Sequence, residues 1–528
     1  MSNPNHKEKY ESRSFTDSKK SFGVKKIQNR NSEKLQSFKN PKKIRTDPVQ
    51  IILAAAIFGF LSLAIFFLIG PISMFAMAIG GGLAVYNYVN LASKKFLEKR
   101  KGFRSPSVLF VVLMGSPFLL GGLIAYEGFT LLEAPWRIIL LWGMTVSFWT
   151  TMLFVPMSIL SKRRELLLPD LVHYPKISVI IPAYNEEKVI QDTIESVIEA
   201  KYPSKQIIVV DDGSTDRTLE IAKKYKSQIT VLHKLNGGKA SALNYGIVYA
   251  KAEIIVIVDA DTIIGRRSLE DLVKGFAKDE NIAAVAGNVK VRNRVNWITK
   301  CQALEHIAGI NIVRRAFDEF RSVTIVPGAL GAFRKGLVSG SNAYGHETIV
   351  EDFDQTIKLL KTGLVTQGSV KSVAYTEAPS TFKDYVKQRK RWFRGNIQVL
   401  KRHSDAFTNP RYGNLQKLAI PFLFLGMIIT PIIGFVSMTN VVFGVLMGDV
   451  IWVLEVVAIF VVVHVLMTAL AIRIDNENTK LLVYSPFLLF GYKQIVDFLL
   501  LRALFEQVTG RKAKWTSAKR TGTKRTGV

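Results

Sequence analysis

The chain has 528 residues, 48% of them hydrophobic, and carries 71 Lys and Arg against 42 Asp and Glu, a formal net charge of +29. The length exceeds one ordinary domain and the apolar residues are gathered into long runs, which excludes a uniformly soluble single-domain protein and points to a membrane. Its one cysteine, Cys301, excludes an intrachain disulfide and the cysteine-rich metal sites, so oxygen ligands or a histidine must hold any metal.

Residues 1–47 are rich in Lys, Ser, Asn and Arg and almost lack long apolar side chains. Such a composition cannot bury a core and predicts a disordered basic cytoplasmic tail, without the apolar core and cleavage site of a signal peptide. An apolar segment follows at once and aromatics are few, so the charge suits an anionic lipid surface rather than nucleic acid. Residues 48–164 hold four apolar stretches, 49–70, 72–92, 108–126 and 136–160. Each is near the ~20 residues that a helix needs to cross a bilayer. Basic clusters at 94–101 and 162–164 belong on the cytoplasmic face, so two hairpins with an inside N-terminus are expected.

Residues 165–412 change character. Apolar runs of strand length at 177–182, 206–211, 229–232 and 254–258 alternate with segments of helical spacing at 187–200 and 216–225. This predicts an α/β domain, Rossmann-like, with a mostly parallel sheet wrapped by helices. Ligands of open α/β sheets bind beyond the carboxyl ends of the strands. Polar clusters stand there: Tyr184-Asn185-Glu186-Glu187, Asp211-Asp212-Gly213-Ser214 and Asp259-Ala260-Asp261.

On an extended chain Asp259 and Asp261 point to one side and can face one Mg²⁺ or Mn²⁺, although the tripeptide alone equally fits a solvated turn. Asp211 and Asp212 offer acceptors to a base or ribose, and Lys239, after Asn236-Gly237-Gly238, is a cation in a glycine turn suited to phosphate. Glu351-Asp352 and Gln388-Arg389-Lys390-Arg391-Trp392 follow. The acidic pair also suits the N-terminus of a helix over 353–361. Together these groups fit a site that binds a nucleotide diphosphate and moves a proton.

Residues 413–506 return to apolar runs at 418–446, 451–472 and 481–504, and residues 507–528 form a basic tail. Three crossings would leave that tail outside, against its charge, so two to three transmembrane helices plus one interfacial or re-entrant segment are expected. Pro421 and Pro431 mark the first run as a candidate for that departure; Pro486, Lys493 and Asp497 mark the third.

The motifs 180–187, 210–216, Asp259-Ala260-Asp261, Val350-Glu351-Asp352 and Gln388 to Trp392, in this order, resemble the processive family-2 glycosyltransferases, the cellulose, hyaluronan, chitin and poly-N-acetylglucosamine synthases, and most nearly the last. The resemblance implies a GT-A domain inserted between transmembrane regions of the cell membrane. It also implies inverting transfer from a UDP-sugar, UDP-GlcNAc or UDP-Glc, to a growing β-linked glycan, with Mg²⁺ or Mn²⁺ bound and accessory export or regulatory subunits nearby. Under it Tyr184, Glu186, Asp211, Asp212 and Asp259 serve the donor and Lys239 its diphosphate. Asp261 ligates the metal with Asp259, and Asp352 is the general base. Glu351, Gln388, Arg391 and Trp392 meet the acceptor and pyrophosphate. His306 and His346 are read as structural or surface groups, and Pro327 to Gly331 as an acceptor-side or plain loop. The family often has Thr where this chain has Val350. Single transfer to a lipid carrier, and an inactive scaffold or glycan receptor, are the competing readings.

Overall fold

The computed structural model describes residues 170–511 except 277 and 278, together with residue 522 and parts of 48–60 and 154–168. The tail 1–47 and the stretches 72–92 and 108–126 lie outside the described residues, as do most of 49–70, of 136–160 and of the tail 507–528.

Eight strands form one sheet: β1 (Ile177–Ala183), β2 (Lys205–Asp211), β3 (Thr230–His233), β4 (Ile254–Ile257), β5 (Thr262–Ile264), β6 (Ile282–Val291), β7 (Gly331–Arg334) and β8 (Val365–Thr376), in the order β3-β2-β1-β4-β7-β6-β8-β5. Ile177, Val179 and Ile181 of β1 pack beneath α1 (Ile190–Glu199), whereas Ile180 packs beneath α3 (Lys239–Tyr249), with α2 (Thr218–Lys223) between them in the chain. Both faces of the strand are thus covered, which is why its sequence is continuously apolar rather than alternating. Gly246 of α3 lets the helix lie close on the sheet, since a Cβ there would stand 2.6 Å from Ile180 Cγ2.

The expectation of a mostly parallel sheet needs correction. β1 runs parallel to β2 and β4, β2 to β3, and β6 to β8, but β7 is antiparallel to both β4 and β6, and β5 to β8. Hydrophobic runs reveal strands and not their direction. The reversal has a consequence for the site: Gly331, the first residue of β7, pairs with Ile257, the last of β4, so the loop entering β7 arrives at the carboxyl ends of the parallel strands.

After α4 (Ser268–Lys274), α5 (Trp297–Leu304) continues through a π-helical stretch, Glu305–Asn311, into α6 (Ile312–Glu319). Then come α7 (Glu351–Lys361) and α8 (Phe382–Arg402). Beyond them α9 (Leu415–Leu446) and α10 (Val450–Asp475) are long and apolar enough to cross a membrane by length and composition. The third run is not one helix. Its backbone leaves helical geometry at Phe490 and Gly491, where Gly491 takes φ 90°, and α11 (Lys493–Val508) follows. Leu499, Leu500 and Ala503 of α11 share an apolar cluster with Tyr385, Phe393 and Ile397 of α8.

The end of α10 is fastened to the sheet domain by charge. Asp475 forms a buried ion pair with Arg315 and accepts from Asn311 Nδ2 at 3.0 Å, while its carbonyl accepts from Lys290 Nζ at 3.1 Å. Glu477 pairs with Lys290 at 2.9 Å and with Arg294 at 2.7 Å.

Candidate active site

A cavity of about 460 Å³ opens at the carboxyl ends of β1 and β4. Of the residues singled out in the sequence, Tyr184, Glu186, Asp212, Lys239, Asp259, Asp261, Glu351, Gln388 and Arg391 line it.

Lys239 opens α3 directly after Gly238, whose φ of +84° favours glycine. Asp212 builds this turn, accepting from Gly237 N at 3.1 Å, Gly238 N at 2.8 Å and Lys234 Nζ at 2.6 Å. Asp211 is fully buried behind it, with Oδ2 2.7 Å from His233 Nδ1, and does not itself line the cavity. Its Oδ1 makes no hydrogen bond among the described residues.

Lys239 Nζ stands 2.7 Å from Asp259 Oδ1 and 2.9 Å from Glu351 Oε1. Burial opposes its charge, but the carboxylates of Asp259, Glu351 and Asp352 outweigh that and hold its pKa well above the usual lysine range. Gly328, in the loop before β7, closes over the pair: a Cβ there would lie 2.6 Å from Lys239 Nζ and 3.1 Å from Asp259 Oδ1.

Asp259 and Asp261 do not lie on an extended chain, as the spacing suggested. β4 ends at Ile257, and Thr262 N donates to Asp259 O at 3.0 Å, closing a turn. Both carboxylates still reach the cavity, Asp261 with its Oδ1 accepting from Thr262 Oγ1 at 3.1 Å and Thr376 Oγ1 at 3.4 Å. No group of three or more His, Cys, Asp or Glu arranged to hold a metal occurs among the described residues. Two carboxylates nonetheless fit a hard cation of the Mg²⁺ type, which commonly takes one or two of them and completes its shell with substrate phosphates and water.

Glu351 and Asp352 are the first two residues of α7, so the helix-terminus reading and the functional one describe the same place. Asp352 Oδ1 accepts from Phe353 N at 2.8 Å, and Oδ2 lies 3.4 Å from Gly328 N. Burial and the neighbouring Glu351 push the Asp352 carboxyl up to about 6, against the opposing pull of Lys239. Val350 packs against Gly395 of α8, whose Cβ would stand 2.6 Å from Val350 Cγ1.

On α8, Gln388 and Arg391 line the cavity, whereas Trp392 does not. The Trp392 ring is partly buried, with the Arg389 guanidinium 4.6 Å from its centre. Arg389, which the sequence reading passed over, is buried and pairs with Glu305 at 2.5 Å. Thr348 and Ile349, which the motifs did not single out, line the cavity from the segment ahead of α7, as does His346, read from the sequence as a structural or surface group. Their position two to five residues before the acidic pair was the only sequence cue.

Residues 178–340 match the family model described as Glycosyl transferase family 2. The chain is 31% identical over 229 residues to a poly-beta-1,6-N-acetyl-D-glucosamine synthase of Staphylococcus epidermidis, the match covering 43% of this chain and 56% of that protein. It is 32% identical, with the same coverage, to the synthase of that name from Staphylococcus aureus. The chain therefore spans just over half the length, 56%, of these curated relatives. Among solved structures, a mannosyltransferase of Pyrobaculum calidifontis in complex with GDP-Man and Mn²⁺ aligns at TM-score 0.47 and 19% identity, over 68% of this chain and 96% of that one.

Proposed function

We propose, from the match of residues 178–340 to the family model of glycosyl transferase family 2, that the chain is a membrane-embedded inverting glycosyltransferase. It moves a hexose, in our reading GlcNAc or glucose, from a UDP-sugar to the end of a β-linked glycan and feeds the product across the membrane between its own helices. The observation that carries this reading is a cavity in which the half-buried Lys239 meets Asp259 and Glu351, with the adjacent Asp352, which faces Gly328 N and is not itself among the lining residues, pushed up to about 6. A carboxylate tuned toward neutral pH suits a general base.

In this mechanism Tyr184, Glu186 and Asp212 hold the nucleoside side of the donor, and Asp211, buried behind Asp212, supports them through His233 rather than by contact. Lys239 leaves its pairs with Asp259 and Glu351 for the diphosphate. Asp261, with Asp259, would hold Mg²⁺ or Mn²⁺, and the ion when bound offsets charge on the departing diphosphate. Asp352 takes the proton from the acceptor hydroxyl as that oxygen bonds to the anomeric carbon and UDP leaves from the opposite face, which inverts the centre. Lys239 and Arg391 stabilise the leaving pyrophosphate, Gln388 and Glu351 orient the reacting ends, and Trp392, with Arg389 stacked on it, supports the wall behind them. In this reading the domain lies on the cytoplasmic face, where UDP-sugars are available, with 1–47 and 507–528 as tails outside it; the length and composition of α9 and α10 support the membrane part of it.

The test is product formation by purified protein in lipid vesicles, given a panel of UDP-sugars with Mg²⁺ or Mn²⁺, beside Asp352→Asn. A long polymer from one donor, absent with the variant, is expected. A single-sugar lipid product would replace processive synthesis by single transfer, and donor binding without turnover would leave a scaffold or glycan receptor.

A further inference from the structure

The segment between β7 and α7 has a fixed main chain and unspent side chains. Tyr344 N donates to Asn244 Oδ1 and Asn244 Nδ2 donates back to Tyr344 O, both at 2.9 Å, which ties the segment to α3. Glu347 pairs with Arg402 of α8 at 3.0 Å, and Val350 is seated on Gly395. Between these anchors, Thr348 is buried and lines the cavity, yet its hydroxyl has only a 3.4 Å contact with Val350 O. That is long for an O–H···O bond, whose usual length is about 2.7–2.8 Å. The His346 ring also lines the cavity, is exposed, and forms no hydrogen bond or ion pair among the described residues.

Buried polar groups normally find partners, because leaving one unmade costs free energy. A pinned backbone that presents a weakly bonded hydroxyl and an open imidazole into a cavity is organised for a ligand with donors and acceptors of its own. The position names the ligand. Lys239 marks the diphosphate, and Glu351, to which it is paired, follows Thr348 by three residues. The group beyond the diphosphate on this side is the donor's sugar ring.

We propose that Thr348 and His346 form the sugar-reading subsite of the donor site and decide between a hexose and an N-acetylhexosamine. This rests on the transferase reading above. Thr348 Oγ1 bonds a ring substituent, and the imidazole a second one nearer the cavity mouth. Neither residue takes part in proton transfer, so they set which donor is used rather than whether chemistry occurs. A site built to hydrogen-bond a substituent discriminates strongly against the analogue lacking it, because its own polar groups are then left unpaired.

The experiment compares kcat/KM for UDP-GlcNAc and UDP-Glc in full-length protein in lipid vesicles, with UDP affinity measured separately by calorimetry. Thr348→Val keeps the shape and removes the hydroxyl, Thr348→Ser keeps the hydroxyl, and His346→Ala removes the ring. The expected result is a change of about tenfold or more in the donor ratio for Thr348→Val and His346→Ala, wild-type ratio for Thr348→Ser, and unchanged UDP affinity throughout. Unchanged ratios in an active protein, or UDP affinity falling in step with turnover, would overturn the subsite alone. Wild-type protein that binds UDP but turns over neither donor would overturn the transferase reading and the subsite with it.

Discussion

At the scale of single residues, the site is governed by where charge is placed without water. Asp352 sits beside Glu351, and burial together with that neighbour raises its carboxyl to about 6. Below that pH the neutral acid prevails and the base is lost; above it the carboxylate prevails. The acid limb of the kcat/KM profile is therefore expected near pH 6, and Asp352→Asn to lower kcat by about 10²–10⁴-fold at neutral pH, read by steady-state assay. Gly328 is the second sensitive position, because a methyl there would stand 2.6 Å from Lys239 Nζ, with Asp259 behind it. Gly328→Ala should displace the ammonium by roughly an ångström and reduce kcat/KM by up to about 10²-fold, while the thermal melt stays near wild type. Loss of the fold in that variant would show that the glycine is needed by the loop rather than by the lysine.

At the scale of elements, α7 and α8 carry the acidic pair and the Gln388 to Trp392 motif, and their contact fixes how these groups face one another. The contact includes a deliberate gap: Gly395 in the middle of α8 makes room for the Val350 side chain. Alanine is a better helix former than glycine by about 1 kcal/mol, so Gly395→Ala would stabilise an isolated α8. In the protein the new methyl would meet Val350 Cγ1 at 2.6 Å, and net destabilisation is expected. Val350→Ala in the same chain should restore stability, with a coupling of about 0.5–3 kcal/mol in a double-mutant cycle of thermal unfolding. Additive effects would mean that the two helices move apart without cost. This pair also gives a physical reason for Val350: an apolar branched side chain fills a notch in α8, whatever hydroxyl contact is thereby forgone.

At the scale of the whole molecule, one charged link between the apolar helices and the sheet domain lies at a helix end. Asp475, at the last turn of α10, is buried against Arg315, Asn311 and Lys290, and Glu477 adds Lys290 and Arg294. Removing one partner of a buried pair leaves the other charged and unpaired at a cost of about 3–5 kcal/mol. Asp475→Ala should accordingly lower the melting temperature of the protein in nanodiscs and loosen the domain from α10, seen as faster hydrogen exchange in β6. Slow exchange in β6 with an unchanged melt would place the joint elsewhere.

Much of this was legible along the chain. The β-branched runs of β1, β2 and β4 announce buried strands, and the polar clusters that follow them mark the cavity because strand ends are where backbone gives way to side chains. Tyr184, Glu186, Asp212, Asp259 and Asp261 meet in that cavity for this reason, whereas Lys239, Glu351, Gln388 and Arg391 reach it from helices. The direction of β7 was not legible, since four residues of strand carry no sign of polarity, and that direction alone delivers Gly328 to Lys239. The turn at Asp259 to Asp261 was likewise hidden, as two carboxylates at this spacing fit a strand or a turn equally well. Arg389 and Trp392 lie side by side in a basic motif, and only packing against Glu305 and Tyr385 turned one inward and drew the other away from the cavity. The sequence by itself determined what is local: the apolar runs, the strand ends and the identities of the acids, bases and cations. The tertiary structure decided which of them face one another, because strand direction, helix contact and the spending of hydrogen bonds depend on residues far apart in the chain.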